Sequence, residues 1–511
     1  MRYVKIRLSG LFRDTGEQTK SLPVTKGRRF RYDEFLMRVE KILGNRRISR
    51  VLIECAEDFR PMLFAGLEDI REQLLRLGER GKEVVFFAKQ YDSRALYLAS
   101  ACGSRVLHPL GNLSFLGFSR SFVYFKQAMD AQGITAEVIR RGRYKSAGDR
   151  FRIDRLDPFD EEQYRRYFEE IAAEASGKIA EGFGKGVDEM ERLSQGRILD
   201  AGTAQQEGWA DELATLHGLE QRWKDEEKLK RKKYTRLGRD IGSGRKRIAV
   251  LIFEGAVVDG KTRRLPLIGQ AVGADSFVPQ IEKLAKEKRV KGVVLRINSG
   301  GGSAFASEDI LEALRRLAEK KTLVVSMSEV AGSGGYWIAC AGERLFVRRT
   351  TLTGSIGVIV MLAGAKRLLE RHGITASTVR TAPHADLGSV LREPGERERA
   401  MMDAQVEETY GQFLSRAASF RKMERGELEQ RAAGRVWAGS DAVSQGLADE
   451  IGGLGDAVEY LKERLGLKKV KLRFYPEVKR GFLERRLERA ARNSSLTAGA
   501  RLQAGLSNGP S

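Results

Sequence analysis

"AQGITAEVIR", residues 131–140, and "RHGITASTVR", residues 371–380, are one phrase written twice, with Gly133 opposite Gly373 at an offset of 240. The same offset pairs "EDI" at Glu68 with "EDI" at Glu308, Val84-Val85 with Val324-Val325, and Gly117 with Gly357. Further on, "GRILDAGTAQQEGWADEL" from Gly196 answers "GRVWAGSDAVSQGLADEI" from Gly434, at an offset of 238. The chain is therefore one unit of roughly 210 residues used twice, and a repeat of that kind organises the whole fold. The boundaries expected are 1–213 for the first copy, 214–247 for a basic charged linker, 248–466 for the second copy and 467–511 for a basic tail.

Within each copy, short β-branched apolar runs alternate with amphipathic stretches. In the second, "RIAVLIFEG", "VKGVVLRIN", "TLVVSM" and "RLFV" read as strands, while "ASEDILEALRRLAEK" has apolar residues at helical spacing. Such alternation predicts parallel βαβ units, so the fold class is α/β, duplicated.

The 511 residues carry 91 Lys+Arg against 69 Asp+Glu, a net charge of +22. That excess favours polyanions or anionic membrane surfaces. It is concentrated in "KLKRKKYTRLGRD" (228–240) and in 468–492, both outside the α/β pattern, where a solvated linker and tail are the plainer reading. In the tail, Phe482, Leu483, Leu487 and Ala490 can share one face of a helix, which would suit an anionic membrane. No nucleic-acid-binding motif is present. Cys55, Cys102 and Cys340 form no CxxC pair, so neither a disulfide framework nor a zinc site is expected. Only His108, His217, His372 and His384 could serve a histidine-based site. No apolar run reaches the length of a membrane span, and the start has no signal-peptide core, so the sequence taken literally is cytosolic.

Where the copies differ, the fold no longer explains the residues. The second reads "RINSGGGSAFASEDI" where the first reads "IECAEDFRPMLFAGLEDI". Successive glycines after a strand present bare N–H groups that can hold an anionic oxygen. Ser333, in "AGSGGYW", pairs with Ser93, which is followed by Arg94 and Ala95 instead of glycines. A tight turn explains glycines around a serine as well as a nucleophile does. The first copy, in turn, has "RRGRYKSAGDRF", which sets Lys145 opposite Ala385. Lys145 reads either as a surface cation or as a base whose pKa desolvation has lowered; His384, beside the lysine position in the second copy, reads as an ordinary loop histidine.

As a set, "NSGGGS", "AGSGGYW", "TLTGSIGV" and "GRYKSAGDRF" resemble the signal peptide peptidase A (protease IV) family of the Clp/crotonase superfamily, in its long tandem form. The resemblance implies two Clp/crotonase-like domains and a serine endopeptidase of cleaved signal peptides or other unfolded apolar peptides. It implies Ser333 as nucleophile, Lys145 as general base, Ser355 orienting the lysine, and Gly301, Gly302 and Gly334 forming the oxyanion hole, with no metal or cofactor. A ring-like homo-tetramer and association with the bacterial inner membrane are implied too. Two departures stand out: Gly300 occupies a position where the family commonly has proline, and the usual N-terminal anchor is not seen. A crotonase-type acyl-CoA enzyme and a catalytically silent scaffold are the competing readings. The second copy alone, 248–466, is expected to fold but to lack its base.

Overall fold

The computed structural model describes residues 1–16, 29–234, 240–266 and 269–476. Each copy builds a sheet of parallel strands in the same order. In the first it runs Glu212–Leu213, Ser104–Leu107, Glu83–Ala88, Ile48–Cys55, Arg2–Leu8, Lys230–Arg231. In the second it runs Glu450–Ile451, Leu345–Val347, Thr322–Gly332, Val290–Ser299, Arg247–Glu254, Lys471–Tyr475, with Asp240–Gly242 added antiparallel at the edge. Arg247–Glu254 and Val290–Ser299 are buried along nearly their whole length, as parallel strands covered on both faces must be. Their unbroken Val/Ile/Leu runs follow from that burial.

The outer strands lie in stretches that the sequence suggests are linker and tail. Lys230–Arg231 and Lys471–Tyr475 occupy equivalent edges of their sheets. Both residues of the first are exposed, so a hydrophobic pattern could not announce it; main-chain pairing to Arg2–Leu8 defines it. The amphipathic stretch at 482–490 lies outside the described residues. Among the described residues, no helix is long and apolar enough to cross a membrane.

The copies are not merely tethered. One hydrophobic core takes in Ile6, Val51 and Phe86 from the first together with Ile248, Val250, Val294 and Val324 from the second. At its rim lies a charged knot. Arg296, 1% exposed, donates to Asp14 (2.9 Å) and to Asp69, and Asp69 also pairs with Arg348 (2.8 Å). Asp14 and Asp69 come from the first copy, the arginines from the second. Such charges are tolerable out of water only while every partner is present.

An antiparallel ribbon completes the union: Thr135–Arg141 pairs with Val358–Gly364 along seven residues. This ribbon is asymmetric. At the 240 offset, its counterparts 118–124 and 375–381 carry no strand.

Candidate functional site

Thr322–Gly332 ends at Ser333, where the chain turns into the helix Gly334–Ala339. Ser333 has φ 52° and ψ −123°, a strained conformation for a residue with a side chain. It caps the helix without any side-chain hydrogen bond, so the first N–H groups must find partners outside the helix. The glycines are steric necessities. A Cβ on Gly334 would come 2.5 Å from Ser307 Oγ, and one on Gly335 2.5 Å from Ser299 O.

Gly300–Gly302 lies directly against this turn. Gly301 has φ 97°, and a Cβ there would come 2.5 Å from Gly334 N. Its own N–H donates to Ser299 Oγ (3.1 Å), and its carbonyl accepts from Val257 N (3.0 Å). Gly302 N lies 3.2 Å from the point where a Gly334 side chain would begin. Gly302 and Gly334 therefore lie side by side at the Ser333 turn. Gly301 instead shapes the turn.

Lys145 arrives from the other copy. The ribbon ends at Arg141, and Gly142–Lys145 turns across to the Ser333 loop. Lys145 Nζ donates to Ser333 Oγ (2.9 Å), Ser355 Oγ (2.9 Å) and Ser355 O (2.7 Å). The residue is 3% exposed, and no carboxylate is among those partners. Burial alone lowers its pKa from 10.5 to about 7. Ser355 is itself held at φ 52°, its N–H donating to Arg435 O (2.7 Å).

Sequence reasoning had singled out Ser333, Lys145, Ser355 and the three glycines, and all six converge here. It missed the cradle around the lysine. Gly434 (φ 78°) packs on Lys145, where a Cβ would come 2.7 Å from Lys145 Cβ, and Gly357 is similarly close to its stem. Tyr144 N donates to Ala433 O (3.0 Å), and Arg140 bridges Lys145 O (3.1 Å) and Asp149 (2.7 Å). Gly434 opens the repeated "GR" phrase, so it was visible as a landmark of the duplication and not as a site residue. His384 pairs with Glu398 (3.2 Å), and no histidine contacts Ser333 or Lys145 among the described residues. Nor does any group of three or more His, Cys, Asp or Glu there suit a metal ion.

Comparison with known proteins places these residues in a context. The sequence model of peptidase family S49 matches residues 76–230 and 315–468, one segment per copy. The chain is 29% identical over 416 residues to "Serine protease SPPA, chloroplastic" of Arabidopsis thaliana, covering 78% of this chain and 61% of the relative. It is 29% identical over 428 residues to "Protease 4" of Haemophilus influenzae, covering 77% and 66%. To "Protease 4" of Salmonella typhi it is 30% identical over 436 residues, covering 80% and 68%. The chain thus spans a little under two thirds of the first two relatives.

Proposed function

The chain belongs to peptidase family S49, and from that premise we propose that it is a serine endopeptidase working through a Ser333–Lys145 dyad. The observation that carries the reading is the 2.9 Å contact between Lys145 Nζ and Ser333 Oγ, made by a lysine with a pKa of about 7. A neutral Lys145 takes the Ser333 proton as Oγ attacks the peptide carbonyl. The negative charge on the carbonyl oxygen is met by the Gly334 and Gly302 N–H groups, with Gly301 holding the turn that aims them. The lysine, now charged, keeps its hydrogen bonds to Ser355 O and Oγ and passes a proton to the departing amine. Water then enters, and Lys145 acts as base again to release the acyl group from Ser333.

Substrates proposed on this reading are extended, unfolded apolar peptides, signal peptide remnants included. The asymmetric ribbon favours a homo-oligomer: 118–124 of one molecule would meet 375–381 of the next, closing a ring, with four subunits proposed. An anionic membrane surface is the proposed site of action, with the basic tail 467–511 as the contact.

The test is cleavage of a quenched fluorescent apolar peptide by the full chain. Ser333→Ala and Lys145→Ala should each abolish it, while replacement of any of the four histidines leaves it within a few-fold. A histidine variant as inactive as Ser333→Ala would remove the dyad.

A further inference from the structure

The strand that delivers Ser333 does not run regularly. Ile297 pairs with Met327, but two residues on, Ser299 pairs with Ala331, four residues on. The strand of the nucleophile carries two extra residues, a bulge of the kind that re-aims a strand end beside an active site. The first copy has no such irregularity, since Ile53 to Cys55 pair in step with Phe86 to Ala88. Glu329 lies in this bulge. Its counterpart at the 240 offset is Lys89, which is exposed.

Glu329 is 1% exposed, and its carboxylate crosses into the first copy. Oε1 accepts from Leu63 N (2.7 Å) and crowds Gly66, at the start of the helix Ala65–Glu79. Oε2 has no partner, and the Asn298 amide lies within hydrogen-bonding reach of this carboxyl. Asn298 gives one Nδ2 proton to Asp14 Oδ2 (3.0 Å), while its Oδ1 is likewise buried without a donor. A proton on the Glu329 carboxyl removes an uncompensated charge from this buried site and supplies it with a donor.

The charged surroundings agree. Glu329 is faced by Asp14 and by Glu254, at the end of the strand Arg247–Glu254. Arg296 is held by Asp14 and Asp69, and Arg13 stands 3.5 Å from Glu254. Tyr167, from the helix Pro158–Phe183, is also nearby but gives its hydroxyl proton to Thr350 O. Among the described residues no cation pairs with Glu329, and burial first, then the neighbouring acids, raises its pKa well above the usual carboxylate range.

We propose that Glu329 is a positioning residue held as the neutral acid, its hydroxyl donating to Asn298 Oδ1, so that one side chain ties the Leu63–Gly66 segment, the Ser333 strand and the Asn298–Gly302 loop together. Asn298 precedes Ser299, whose Oγ fixes Gly301 N, so the tie reaches both sides of the site. The positioning half rests on the peptidase reading; the protonation half does not, and each has its own readout.

Glu329→Gln keeps the shape, the acceptor for Leu63 and a donor for Asn298, but cannot ionise. A carboxyl that stays protonated in the fold and ionises when unfolded costs stability progressively as pH rises above the ordinary glutamate value of about 4.3. Thermal unfolding of the full chain and of Glu329→Gln should therefore coincide near pH 4. The variant's Tm should exceed the parent's by a margin that grows as pH rises above that value. An infrared carboxylic-acid C=O band present at pH 7 in the parent should be missing from the variant. Parallel Tm curves, or a Gln variant that does not fold, would overturn the neutral acid. In the peptidase assay, Glu329→Ala should lower kcat about tenfold with little change in KM, and Glu329→Gln should restore it. An Ala variant with the parent's kcat would overturn the positioning role, whereas inactivity of the parent itself would strike only the peptidase reading.

Discussion

The two copies answer the same structural problem differently at the position of Ser333 and Ser93. In the first, Asp92 caps the helix Ser93–Ala99 in an extended conformation, its carboxylate accepting from Arg94 N (3.1 Å) and Ala95 N (2.9 Å). Arg94, in the place of Gly334, anchors to Asp92 Oδ2 (3.0 Å) and Phe59 O (2.6 Å). The helix end is satisfied internally by an anion of the chain's own. In the second copy the capping carboxylate is replaced by Gly332, Ser333 is strained, and the helix end is left for an outside partner. The fold tolerates both. Stability belongs to the first arrangement and, on the proposed function, reactivity to the second, because a donor that is already satisfied cannot stabilise a developing oxyanion.

The sharpest way to break this comparison is to move the base. Lys145→Ala should lose activity on the order of a thousandfold or more, as removal of a dyad member does. Ala385→Lys on top of it should restore none, because the ribbon that brings a lysine to Ser333 ends at Arg141 and not in the second copy's own loop. Recovery in the double variant, measured as peptide turnover, would show the copies to be interchangeable.

Next comes the cradle. Gly434→Ala places a methyl against Lys145 at a positive φ, and a base displaced by about 1 Å costs on the order of a hundredfold. Kinetics at saturating peptide would show the loss in kcat.

The pH profile follows. With Lys145 at about 7, activity should rise roughly tenfold per unit below that value and level off above it. The same shift acts on stability with the sign opposite to that of Glu329. The unfolded lysine binds a proton that the folded one refuses, so its contribution to stability rises from about pH 7 to the ordinary lysine value near 10.4. Lys145→Met should therefore raise Tm most at neutral pH and below; a variant destabilised there would contradict the burial account.

The smallest effect belongs to the silent copy. Asp92→Ala removes a helix cap worth about 1 kcal/mol, lowering Tm by a few degrees while kcat stays within twofold. A catalytic defect of tenfold would mean that the first copy's serine region does more than support the fold.

The duplication, the alternation of strands and helices, and the singling out of Ser333 and Lys145 as departures from the repeat could be taken from the chain as written, whereas Ser355 came only with the family resemblance. Repeats persist in sequence because each copy must bury the same core, and departures from the repeat then isolate what burial does not require. The edge strands Lys230–Arg231 and Lys471–Tyr475 could not be so taken, because edge pairing uses main-chain groups that every residue possesses. Nor could the dependence of one copy on the other. The expectation that residues 248–466 would fold alone leaves out that Ile248, Val250, Val294 and Val324 would lose the first copy's side of their shared core, and that one strand of its sheet, Lys471–Tyr475, lies beyond residue 466.

The sequence by itself determined which residue types were available for the chemistry and on which copy each stood, since composition and spacing are local properties. Only the tertiary structure decided that Lys145 and Ser333, 188 positions apart, share a hydrogen bond. Only it decided that the lysine is buried enough to be neutral and that Glu329 rests in a bulge between the copies. Those outcomes depend on the solvent excluded by the whole packed interface, and no segment of the chain carries that information alone.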